Sequence, residues 1–137
     1  MRGRVPRLLA VGLAACASYT PTRVVLPSSL PPVDVREAVV RGIVRQFLGV
    51  STRDLEAGRF ISQALPDPAS TRYRYRAFVR ILAGAGGPLV EVTVARERLS
   101  TDFERPGWRI VGFDRDREAA LAEAIGSFAV REAPAGP

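Results

Sequence analysis

The chain has 137 residues and a formal net charge of +6, and all twenty of its basic residues are arginine. That length has room for one domain of the usual ~100–200 residues, and no run of about 18 apolar residues offers a membrane-spanning helix. With no His and one Cys, the commonest general base, a zinc site of the Cys/His kind and an intrachain disulfide are all excluded.

Arg2, Arg4 and Arg7 precede a short apolar run over residues 8–15, the charged-then-apolar order of an export signal. The run ends Leu13-Ala14-Ala15-Cys16, which resembles the lipobox of bacterial lipoproteins. The resemblance implies diacylglyceryl transfer to the Cys16 thiol, cleavage between Ala15 and Cys16, and acylation of the new amino terminus, with palmitate as a typical chain. Residues 1–15 are then a removed signal peptide, and the covalent lipid on Cys16 holds the protein on a membrane. No cofactor and no metal is expected. Ala17 follows the cysteine where an Asp would retain the protein at the cytoplasmic membrane. It points to the periplasmic side of the outer membrane, with the outer leaflet of the cytoplasmic membrane as the alternative. Three arginines leave with the signal, so +6 falls to +3, and no nucleic-acid partner is expected at that charge.

Residues 16–33 carry Pro21, Pro27, Pro31 and Pro32 and read as an extended tether between lipid and domain; the alternative is an edge strand at Val24, Val25 and Leu26. Asp34 and Glu37 have capping-box spacing and predict a helix start. Val39, Val40, Ile43, Val44, Phe47 and Leu48 supply its apolar stripe, and Gly49 its end. Residues 50–65 predict a short strand, a turn over 54–58 with Gly58 at a positive φ, and a second strand that Pro66 and Pro68 stop.

A hairpin follows. Tyr73, Tyr75, Ala77, Val79 and Ile81 alternate inward, facing Val90, Val92 and Val94 across a glycine-rich turn over 83–87. Pairing Val79 with Val92 sets Arg80 opposite Glu91 and Arg74 opposite Glu97, and each such cross-strand pair is worth about 0.2–1 kcal/mol. Arg72, Arg74, Arg76 and Arg80 then line the outer face, a solvated sheet surface or an anion-binding one. Residues 108–113 predict a last strand with Trp108 in the core. Asp114 or Asp116 caps a helix from about 115 to 130, striped by Leu121, Ala124, Ile125 and Phe128. The acidic trio Asp114, Asp116 and Glu118 suits the positive end of that helix better than acid–base or calcium chemistry. Residues 131–137 read as a disordered tail.

The expected architecture is α+β: a two-layer sandwich over 34–130, an antiparallel sheet of about four strands with both helices on one face. This layout resembles small envelope lipoproteins with a helix-grip-like domain, such as the BamC-type subunit of the outer-membrane β-barrel assembly machinery. The resemblance runs through Asp54, Gly58, Ile61 and Ser62, the strands at 72–82 and 89–98, and Trp108 with the helix after it. LptE-type lipopolysaccharide-assembly lipoproteins share a related layout. The resemblance implies a non-catalytic accessory or scaffolding component of an envelope-assembly complex, with a protein partner. The alternative from the residues is a module that binds an anionic lipid headgroup or cell-wall polymer through the arginine-lined face.

Overall fold

The computed structural model describes residues 19–132, so Ala15, Cys16, the signal sequence and residues 133–137 lie outside it. In chain order the described residues form β1 (Thr22–Val25), α1 (Pro32–Phe47), β2 (Val50–Asp54), β3 (Arg59–Ser62) and β4 (Leu65–Asp67). They continue with β5 (Ser70–Gly84), β6 (Gly87–Ser100), β7 (Gly107–Phe113) and α2 (Arg115–Glu132). The architecture is α+β, with two helices against one antiparallel sheet.

The β5–β6 hairpin is its axis. Val79 pairs with Val92, Arg80 with Glu91 and Arg74 with Glu97, the register expected from the alternation. The turn is tighter than expected, because Gly84 already pairs with Gly87. Gly87 sits at φ +137°, and a Cβ there would strike the Leu26 carbonyl oxygen, so only glycine admits the chain leaving β1.

Seven strands form where about four were expected. The stretch read as a tether is part of the domain: Thr22 pairs with Val92 and Val25 with Leu89, and Leu26 and Leu30 are buried. Its prolines bracket positions 22–25 without entering them, so every β1 amide keeps its N–H. The strand expected over 59–65 breaks after Ser62, and β4 resumes through Pro66. That strand borders β5 alone, an edge where a missing N–H costs no ladder bond.

Helix α1 starts at Pro32, two residues before the expected capping box, which does not form. The Pro31 carbonyl accepts the Asp34 and Val35 amides at 2.9 and 3.1 Å, and Pro32 occupies the first helical position, where its N–H is not needed. At the other end the left-handed residue is Leu48 at φ +70°, not Gly49. The buried face is Val35, Ala38, Val39, Gly42, Ile43 and Phe47, whereas Val44 and Leu48 are exposed. The helix is rolled toward α2 because the two meet at Gly42, where an added Cβ would lie 2.6 Å from Ile125 Cγ1. Helix α2 begins as expected behind Asp114, whose Oδ1 accepts the Arg117 amide at 3.0 Å. It runs to Glu132, into the expected tail. One core cluster joins Ile43 and Phe47 of α1, Leu121 and Ile125 of α2, and the inward residues Phe60, Val79 and Val92. Among the described residues no helix is long and apolar enough to cross a membrane.

Neither flank of the hairpin is continuous. Along β6, β1 pairs up to Val92 and β7 begins at Ala95. Along β5, β3 ends its pairing at Phe78 and β4 begins at Tyr75. Both gaps fall at the cross-strand pair Ala77–Val94, whose amides point outward to no strand. Buried side-chain oxygens fill the gaps: Ser62 Oγ accepts the Ala77 N–H at 2.8 Å and Glu118 Oε2 the Val94 N–H at 3.1 Å. A buried amide without an acceptor costs about 1–3 kcal/mol, so these plugs let each flank be built from two short strands. Glu118 also accepts the Tyr19 hydroxyl, the Thr22 hydroxyl at 2.9 Å and Arg115 Nη1 at 3.4 Å. Burial pushes the Tyr19 phenol up to about 12, with the Glu118 hydrogen bond and charge acting in the same direction.

Candidate anion-binding groove

The four arginines expected to share the outer face are divided among three environments. Arg74 and Arg76 converge on Glu97 Oε1, at 2.8 and 3.4 Å from their Nε atoms. Arg74 also lies 4.2 Å from the centre of the Trp108 ring, which is half-buried beneath it and not in the core cluster. These charges are matched and shielded. Arg80 faces Glu91 in the register, but Glu91 Oε2 is held at 2.9 Å by Arg23 of β1. Arg80 shares a depression with Arg59, Phe78, Thr93 and Glu91 itself. Arg72 stands apart from all of these.

Arg72 joins two arginines outside the expected set. Tyr73 pairs with Arg98 across β5 and β6, and Arg98 pairs with Arg109 across β6 and β7. The three guanidinium-bearing residues line a cavity of about 530 Å3 together with Tyr73, Ser100 and Thr101. All three are exposed, and among the described residues none has a carboxylate within ion-pair distance. Arg109 reaches the Arg105 carbonyl through Nη2 at 3.4 Å. Asp102 is the one carboxylate on the lining, and its Oδ1 holds the Glu104 amide at 2.9 Å.

Beside the groove, aromatic rings carry the next cations. The Arg96 guanidinium lies 3.9 Å from the Tyr73 ring centre, and its Nε is buried without a hydrogen-bond partner. The Arg117 guanidinium lies 4.0 Å from the Tyr75 ring centre, and the Tyr75 hydroxyl donates to Asp67 Oδ2 at 3.1 Å. The Ala69 amide, with the Tyr75 hydroxyl, holds the Asp67 carboxyl below the usual carboxylate range. Cation–π contacts of this kind are worth about 0.5–2 kcal/mol; the Arg117 edge is taken by Asp114 Oδ2 at 3.3 Å, whereas Arg96 has no ion pair among the described residues.

No known family, curated protein or solved structure matches this chain. The groove is therefore defined by its own chemistry. Arg98 and Arg109 stand directly opposite each other across β6 and β7 on the face of Tyr73. Arg72 reaches the same cavity from the other side of β5, and a phosphate or carboxylate accepts guanidinium N–H pairs in bidentate fashion. The signal for it lies in the hairpin register: continued from Val79–Val92 toward the open end, it places Arg96 and Arg98 opposite Tyr75 and Tyr73. Arg109 had no such signal, because a bulge at Arg96–Glu97 shifts the alternation of β7.

Proposed function

We propose that this chain is a lipid-anchored, non-catalytic binding module of the bacterial cell envelope that holds an anionic group, phosphate or carboxylate, between Arg72, Arg98 and Arg109. The observation that carries the reading is the set of three exposed guanidinium groups without a carboxylate partner among the described residues. The anchor is the lipobox-like Leu13-Ala14-Ala15-Cys16 at the end of the signal. It supports a place on the periplasmic side of the outer membrane, beside assembly machinery of the sort that BamC-type and LptE-type lipoproteins serve. The Arg96–Tyr73 contact, which stands in place of an ion pair, supports recognition over scaffolding, since it stiffens the site without neutralising it.

Thermal unfolding of the detergent-solubilised protein in inorganic phosphate, against chloride at equal ionic strength, tests the groove. Phosphate stabilises many folds by exclusion, and an Arg98→Ser/Arg109→Ser protein keeps that general share. A larger rise in midpoint for the unsubstituted chain measures the bound anion. Equal rises in the two proteins refute the site. The intact mass of chain recovered from membranes, beside Cys16→Ala, tests the anchor by the added acyl chains.

A further inference from the structure

The folded domain starts almost at the anchor. Tyr19 stacks on Phe113 with ring centres 3.9 Å apart and bonds Glu118, so its place in the fold is fixed. Two residues, Ala17 and Ser18, separate it from Cys16, and the three extended steps from Cys16 to Tyr19 reach no more than about 11 Å. A lipid on Cys16 therefore holds the Tyr19–Phe113 end of the domain against the bilayer.

From that end an exposed apolar strip runs along β7, the sheet edge, for roughly 20 Å at the usual strand rise. Phe113 is 43% exposed, Val111 47% and Ile110 54%. Beyond the start of β7, the loop over 101–106 carries Phe103, whose side chain is 100% exposed. Leu99, Ile110 and Val111 line the same cavity as Arg72, Arg98 and Arg109, so the apolar and the cationic groups form one surface. Asp102 and Glu104 flank Phe103, and Arg72, Arg98, Arg105 and Arg109 outnumber them. Apolar side chains interleaved with arginine are the composition that settles at the headgroup level of an anionic membrane.

We infer that the β7 edge and the 101–106 loop dock on the membrane that holds the anchor, with Phe103 inserted and a phospholipid phosphate in the arginine groove. This rests on the lipid-anchor and anion-groove reading above and names its ligand as the bilayer surface itself. Val44 lies on α1, which packs on β2, β3 and β5 across the hairpin from the docked β7 edge.

The test uses the full chain, recovered from bacterial membranes as Phe103→Cys and labelled there with an environment-sensitive fluorophore. A thioether at Cys16 leaves position 103 as the one free thiol, and Phe103 is exposed enough for the change to spare the fold. Intact mass first counts acyl chains and labels. The protein is then reconstituted into phosphatidylcholine vesicles with or without phosphatidylglycerol, beside a Val44→Cys control. The expected result is a blue shift and a several-fold gain in emission at position 103 with phosphatidylglycerol. The control shows neither, and Arg98→Glu/Arg109→Glu abolishes both. Acylated protein whose position 103 stays aqueous on both vesicles overturns the docking and leaves the anchor standing. Equal insertion without phosphatidylglycerol, or in the double variant, overturns the role of the groove. A chain without acyl mass overturns the anchor and the docking with it.

Discussion

The two flanks of the central hairpin solve the same problem with different chemistry. On the β5 side the open amide of Ala77 is met by Ser62, a hydroxyl at the end of β3. On the β6 side the open amide of Val94 is met by Glu118, a carboxylate from the first turns of α2. A hydroxyl needs little else to be content in the interior. A buried carboxylate needs several donors, and Glu118 recruits Tyr19 and Thr22 from the N-terminal segment and Arg115 from its own helix. The neutral plug closes a gap; the charged plug closes the same kind of gap and also fastens the N-terminal segment to the C-terminal helix.

Replacing the plugs measures that difference. Glu118→Ala strips acceptors from one amide and two hydroxyls and costs about 3–5 kcal/mol in denaturant unfolding, the range for breaking a buried charged network. Glu118→Gln, which keeps one acceptor oxygen, costs less. Ser62→Ala orphans a single amide and costs about 1–3 kcal/mol, with hydrogen exchange accelerating at Ala77 and not at Val94. Equal losses from Glu118→Ala and Ser62→Ala would erase the distinction between the flanks. The smallest effects come from pH. The Tyr19 phenol is raised from 10.0 to about 12 in the fold, so its contribution is complete below pH 10 and is lost as pH climbs through 12. Asp67, on the opposite flank, has a depressed pKa, so its contribution is present above the ordinary carboxylate range and lost as pH falls. Alkali therefore loosens the Glu118 flank and acid the Ser62 flank. Tyr19→Phe flattens the alkaline limb of a stability–pH curve, and Asp67→Asn flattens the acid limb.

The hairpin was legible because period-two alternation and a glycine-rich turn specify register together, and they gave Val79–Val92 and the Arg74–Glu97 pair correctly. β1 was read only as the alternative to a tether, because prolines stand on either side of it, and β4 was hidden by Pro66, since composition does not say that a proline stands at an edge. The carboxylate of Glu118 was disguised by its position: acid in a first helical turn satisfies the helix dipole whether or not it is buried. The stripe of α1 was misplaced by Val44 and Leu48, because the close approach at Gly42 that rolls the helix is a property of two chain segments and not of one. The groove stayed half hidden for the same reason, its three arginines coming from three strands.

The bonds from Tyr19 and Thr22 to Glu118 span 99 and 96 positions of sequence. In a chain synthesised amino terminus first, the acceptor that fastens the start of the domain is among the last parts to arrive. Closing a loop that long adds entropy cost and comes late in folding. Under the proposed lipid anchor, signal processing and acylation beside residue 16 would act on a segment the domain has not yet claimed, and the arrival of α2 would draw the finished domain down to its anchor.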